Sequence, residues 1–155
     1  MRYIVLILGL IGLDQLVKYI VEQQFTQNVP LEIWNFINLT YIHNTGAAFG
    51  IMEGARILFV IFNIILIAAV WWAWKKNWMG RYKLSVSLII AGAMGNCIDR
   101  VFRGYVVDFI DFTYWPIFNI ADIAIVCGTI LLSVMVLTAK EDQLPQFGKK
   151  SEQNE

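Results

Sequence analysis

Residues 57–74 read ILFVIFNIILIAAVWWAW, eighteen positions in which Asn63 is the sole polar residue. A helix needs about 20 mostly apolar residues to cross about 30 Å of hydrocarbon, and this segment meets that requirement almost without interruption. Three further segments do the same. The first covers about 3–21 and is broken by Asp14, Gln15 and Lys18. The third covers about 84–98 and stops at Asp99 and Arg100, and the fourth covers about 117–139, with Asn119 and Asp122 near its start. The chain therefore reads as an all-α membrane protein with four transmembrane helices.

Composition agrees with this reading. Of 155 residues, 58% are hydrophobic and only 15% are charged, with twelve basic residues balancing twelve acidic ones; the mean hydropathy is +0.59. Such values exclude a disordered chain, a soluble nucleic-acid binder and a small disulfide scaffold. The expected organisation is one integral membrane domain over 1–155, ending in a mobile polar tail from about 141. Cys97 and Cys127 lie in apolar runs without metal-ligand spacing and read as packing residues. The apolar start behind Arg2 has the look of a signal peptide, but no A-x-A-like site follows and the helix continues as LVKYIV. It reads as the first span.

Basic residues set the direction of insertion. Arg2, Lys75, Lys76, Arg81, Lys83, Lys140, Lys149 and Lys150 fall on one side, against Lys18, Arg56, Arg100 and Arg103 elsewhere. Both termini are expected in the cytoplasm. Trp71, Trp72, Trp74, Trp78 and Tyr82 would form an inner aromatic belt, and Trp34, Tyr114 and Trp115 an outer one. In the first outer loop, Ile37, Leu39 and Tyr41 alternate with Asn38 and Thr40, the period-two pattern of a strand. Asn44-Thr45-Gly46 then supplies a turn before the small-residue run Ala47-Ala48, and residues 105–109 form a second extended candidate. A small β-rich platform on the extracytoplasmic side is expected.

Polar residues inside spans are costly in hydrocarbon and are functional candidates by default. With the spans directed as above, Asp14 lies about 16 Å along the first helix at 1.5 Å per residue, in the outer half, and Lys18 is one turn on. Asn96, Asp99 and Arg100 end the third span, Asn119 and Asp122 begin the fourth, and Asn44 and Asp108 adjoin spans in outer loops. All gather at the outer leaflet boundary. Asp14 with Lys18, and Asp99 with Arg100, read as ion pairs, while Arg56 and Arg103 are expected to face headgroups. Asp108 and Asp122 are left without a cation. Two such carboxylates held together share a proton, the arrangement in which one activates water and the other polarises a scissile carbonyl. His43 has no matched nucleophile and reads as a surface or turn histidine. No metal and no cofactor are expected.

Four blocks, DQLVK (14–18), NTGAAFG (44–50), GNCIDRVFRGYVVDF (95–109) and FNIADI (118–123), closely resemble those of lipoprotein signal peptidase (signal peptidase II), a bacterial membrane aspartic endopeptidase. The resemblance extends from Asp14 to about Cys127. It implies removal of signal peptides from diacylglyceryl-modified prolipoproteins, cut just before the lipidated cysteine, in the bacterial cytoplasmic membrane. It assigns the dyad to Asp108 and Asp122, and a substrate-positioning or supporting role to Asn44, Gly46, Asn96, Arg100 and Asn119. Asp14, Lys18, Asp99, Gly104 and Ala121 would shape the site. Asp111 lies beside the third block, but the motif marks the aspartate after Val106-Val107. The thirteen residues between the dyad members leave the size of any flap open. The expected partners are the prolipoprotein and membrane lipids, with no nucleic acid, and the chain is expected to act as a monomer. Two rivals are a proton-coupled transporter, which would carry its acids near the midplane, and a lipoprotein-binding subunit without activity, which would tolerate Asp-to-Asn replacement.

Overall fold

The computed structural model describes residues 1–46, 56–75 and 80–139. The small-residue run after Gly46, Lys76 and Trp78 of the basic aromatic loop, the side chain of Arg56, and the basic residues and tail from Lys140 lie outside these residues. The elements in chain order are α1 (Arg2–Gln24), β1 (Pro30–Trp34), β2 (Ile37–Asn44), α2 (Arg56–Lys75), a 3-10 turn at Gly80–Tyr82, α3 (Lys83–Phe102), β3 (Val106–Phe112) and α4 (Ile120–Leu137). All four helices are long and apolar enough to cross a membrane. The three strands form one antiparallel sheet in the order β1-β2-β3.

Helix α3 is the hub. In its apolar window 61% of residues are buried inside the protein, against 17% in α1 and α4 and none in α2. The reason lies in its sequence: Ser85, Ser87, Ala91, Gly92, Ala93 and Gly95 are all small, and all are buried, so neighbouring backbones approach closely. At Gly92 a Cβ would fall on the Ala121 carbonyl oxygen of α4. The long apolar side chains of the other helices, such as Ile64 and Ile65 of α2 and Ile130 of α4, point outward, where lipid would solvate them.

Helix ends differ from the apolar runs that suggested them, for local reasons. Helix α4 starts at Ile120 rather than near 117, because Asn119 caps it while Phe118 exchanges backbone hydrogen bonds with Ile110 of β3. Helix α3 runs on to Phe102, through Asp99 and Arg100, because both find protein partners. Gly104 then adopts φ +93°, a conformation that side chains with a Cβ resist, and its N–H bonds the Asp99 carbonyl as the chain turns into β3. The sheet sits on the end of α1 through Val21, Tyr41, Val107 and Phe109. At the opposite end of the bundle Tyr3 meets Trp74 edge-on at 5.9 Å, and Lys83 lies over the same indole.

Candidate active site

The register of β2 against β3 sets Ile42 opposite Asp108 and Asn44 opposite Val106. Asp108 is 1% exposed, and both its oxygens are taken by amides. Asn44 Nδ2 donates to Oδ2 at 2.8 Å and Asn119 Nδ2 to Oδ1 at 2.6 Å. Asp122 sits three residues into the start of α4, where it closes a capping box. The Asn119 side chain accepts from the Asp122 N–H at 2.9 Å, and the Asp122 side chain accepts from the Asn119 N–H at 3.2 Å. Two of the orphan donors at a helix start are thereby satisfied. Its other oxygen, Oδ1, accepts from Asn96 Nδ2 at 2.7 Å.

Asn96 joins this pair to a buried ionic network. Its Oδ1 accepts from Asn119 Nδ2 at 3.1 Å and from Lys18 Nζ at 3.0 Å. Lys18 is fully buried and bridges Asp14 at 2.9 Å and Asp99 at 2.8 Å. Asp14 also accepts the Ala121 N–H at 2.9 Å, tying α1 to the start of α4. Asp99 accepts from Arg103, from Gln15 and from the Val107 N–H. Buried charges are stable only when paired and hydrogen-bonded throughout, and each of these is.

Asp108 and Asp122 both line a cavity of about 560 Å³ walled by α2, α3, α4 and the segment before α4. Its polar residues at this end are Asn44, Asn96 and Arg100; most of the rest is apolar, including Phe59, Phe62, Ile117 and Val126. The Arg100 guanidinium donates to the Gly46 carbonyl at 2.9 Å and lies over the Phe59 ring at 4.7 Å. Its Nε is buried and has no hydrogen-bond partner among the described residues. Gly46 N–H in turn donates to Asn44 Oδ1 at 2.9 Å, the turn that orients the Asn44 amide toward Asp108. Burial, and then the nearby charge of Asp122, push the Asp108 carboxyl up to about 7 against the opposing pull of the Asn44 and Asn119 amides. Neither aspartate forms an ion pair among the described residues.

All twelve residues singled out in the sequence fall in this one region, Asp108 and Asp122 on the cavity and Asp14, Lys18 and Asp99 behind it. Three readings need correction. Asp99 does not pair with Arg100: neighbours on a helix point about 100° apart, so Asp99 meets Arg103 at 2.6 Å one turn on and Lys18 across the interface. Arg103 does not face headgroups; it pairs with Glu22 at 3.0 Å and with Asp99. His43 is no turn residue but lies in β2, stacked 3.6 Å from Tyr105 and 2.6 Å from the Tyr41 hydroxyl; burial lowers its pKa. Gln15 and Glu22 are supporting residues that the sequence reading passed over. Gln15 lies inside the first quoted block, which was the available signal.

Four helices apolar enough to cross a membrane, with two acids on one internal cavity that form no ion pair among the described residues, fit the class of integral membrane peptidases. The family model described as signal peptidase (SPase) II matches residues 6–138, and the chain belongs to that family. It is 41% identical over 144 residues to the lipoprotein signal peptidase of Caldicellulosiruptor bescii, covering 93% of this chain and 96% of that one. It is 45% identical over 141 residues to the lipoprotein signal peptidase of Streptococcus pneumoniae, covering 86% and 90%. A solved bacterial membrane enzyme superposes with a TM-score of 0.84 at 34% identity, covering 96% of this chain and 94% of the other.

Proposed function

We propose that this chain hydrolyses the peptide bond preceding the diacylglyceryl-modified cysteine of prolipoproteins, using water held between Asp108 and Asp122. The observation that carries the reading is the pairing of two cavity-lining carboxylates whose oxygens meet neutral amide donors and no cation among the described residues. Such a pair retains one proton near neutrality. The ionised member takes a proton from water as the water oxygen attacks the scissile carbonyl carbon. The protonated member gives its proton to the carbonyl oxygen, and a tetrahedral diol forms. Collapse of the diol breaks the C–N bond as a proton passes to the departing cysteine nitrogen, and the pair returns to its starting state.

The remaining residues position this chemistry. Asn44, Asn119 and Asn96 aim the carboxylates, with Gly46 and Gly104 shaping the turns that carry them. Arg100, with Nε unused, holds a substrate carbonyl against the dyad. Asp14, Lys18, Asp99 and Ala121 lock α1, α3 and α4 at the angle the site needs. The enzyme works as a monomer in the bacterial cytoplasmic membrane, both termini cytoplasmic, with the dyad at the outer leaflet where a diacylated cysteine resides. The membrane lipids around it hold the substrate's acyl chains. The test is cleavage of a synthetic diacylglyceryl prolipoprotein in micelles by wild type, Asp108→Asn and Asp122→Asn. Loss of cleavage in both folded variants, with substrate still bound, is expected. Full cleavage by either removes that aspartate from the mechanism.

A further inference from the structure

Asn63 is the sole polar residue in the long apolar run 57–74. A polar amide facing lipid carries a desolvation penalty with nothing to offset it, and Asn63 does not face lipid: it lines the same cavity as Asp108 and Asp122. Its Nδ2 donates one N–H to the Phe59 carbonyl at 2.8 Å. An amide nitrogen carries two N–H groups and its oxygen two lone pairs. The second N–H and Oδ1 have no protein partner among the described residues.

Position along α2 gives this spare donor a meaning. Phe59 lies under the Arg100 guanidinium, at the level of the dyad. Asn63 is four residues further from the sheet end, about 6 Å at 1.5 Å per residue, close to the 5.4 Å of one helical turn. An apolar segment crossing this bundle would enter as a helix, since lipid leaves no other way to satisfy its backbone. It must leave the helical conformation at the bond to be cut, because a carbonyl under attack by water has to be accessible. The last helical turn before that bond then carries carbonyls with no intrahelical partner.

We infer that Asn63 is a substrate-binding residue whose free amide N–H takes one of those orphan carbonyls, about one turn before the scissile bond. This rests on the function proposed above and adds a contact that none of the four motif blocks contains. Arg100 and Asn63 together form a two-rung ladder on one wall of the cavity, spaced to the pitch of the helix they receive.

The test is steady-state cleavage of a diacylglyceryl prolipoprotein peptide in micelles by wild type, Asn63→Leu, Asn63→Asp and Asn63→Gln. Loss of one hydrogen bond predicts a KM about five- to tenfold higher for Asn63→Leu with kcat within about twofold. Asn63→Asp lacks the N–H and should match Asn63→Leu; Asn63→Gln keeps it and should recover part of the loss. A second substrate carries an ester in place of the amide four residues before the cut, which weakens that carbonyl as an acceptor. The ester should raise KM for wild type and leave Asn63→Leu unmoved. A merely structural Asn63 would give equal ester effects in both enzymes, and that result overturns the inference. An unchanged KM for Asn63→Leu beside a fully active wild type overturns it alone. A wild type that cuts neither substrate overturns the functional reading and this inference with it.

Discussion

Helices α3 and α2 are twenty residues each, yet they are held in opposite ways. Helix α3 is threaded by small residues and ends in Asn96, Asp99 and Arg100, each hydrogen-bonded to another element. Helix α2 exposes Ile61, Ile64 and Ile65 outward, and it meets charge through its rings, Phe59 under Arg100 and Trp74 under Lys83. The difference follows from the solvent. Lipid is as apolar as leucine, so burying apolar surface gives no drive to associate, and helices are fixed by close packing and polar bonds. Helix α3 is therefore the frame of the site, and α2 is a wall set against it.

The largest effect that sharpens this contrast is on the dyad that α3 supports. Asp108→Asn or Asp122→Asn should lower kcat by about 10³-fold or more, measured on the micellar substrate, while substrate binding is kept. Wild-type activity should also decline as pH rises through about 7, where Asp108 gives up its proton. The sign of the linked stability change can be worked out. Asp108 holds its proton up to about 7 when folded, against an ordinary 3.8. Between those values the folded chain binds more protons than the unfolded one, so stability falls as pH rises through the window. Asp108→Asn removes the titration, and its thermal midpoint should gain on that of wild type from about pH 4 to about pH 8.

Next comes the frame itself. Lys18→Met would leave Asp14 and Asp99 buried without their shared cation, a change expected to cost about 3–5 kcal/mol of stability, read as a lower unfolding midpoint in detergent. Gly92→Ala would press a methyl group onto the Ala121 carbonyl and the Ile125 side chain. Overpacking of this kind costs about 1–3 kcal/mol, and cleavage should fall with it, since Ala121 and Asp122 share the first turn of α4. On the other side of the comparison, Ile65→Leu on the outward face of α2 should move neither midpoint nor rate by more than about 0.5 kcal/mol. A large effect there would show that α2 is part of the frame after all.

The contrast also explains what could be read from the sequence. The four spans were legible because hydrocarbon demands long apolar runs, and the polar site was legible because the ionisable exceptions to that demand cluster near one end of the spans, with Asn63 a turn away from them. Strand β2 showed its alternation. Strand β1 did not, because all five of its residues are exposed and no face is selected for burial. Partner choice was the hardest part. Adjacency suggested Asp99 with Arg100, whereas helical geometry turned Asp99 to Lys18 and Arg103 and freed Arg100 for the Gly46 carbonyl. The stack of His43 on Tyr105 joins β2 to the turn before β3 across 61 intervening residues, a separation at which no periodicity speaks.

Asp122 is at once a member of the candidate dyad and the residue that closes the cap of α4. For an inhibitor that grips this carboxylate, the overlap shuts a route of escape. A mutation that discards the contact also strips the helix start of its acceptor and releases Asn119, which holds the other aspartate. Resistance at this position would have to be gained without the fold of the helix that carries it, so an evolving population would be driven to the apolar wall of the cavity instead.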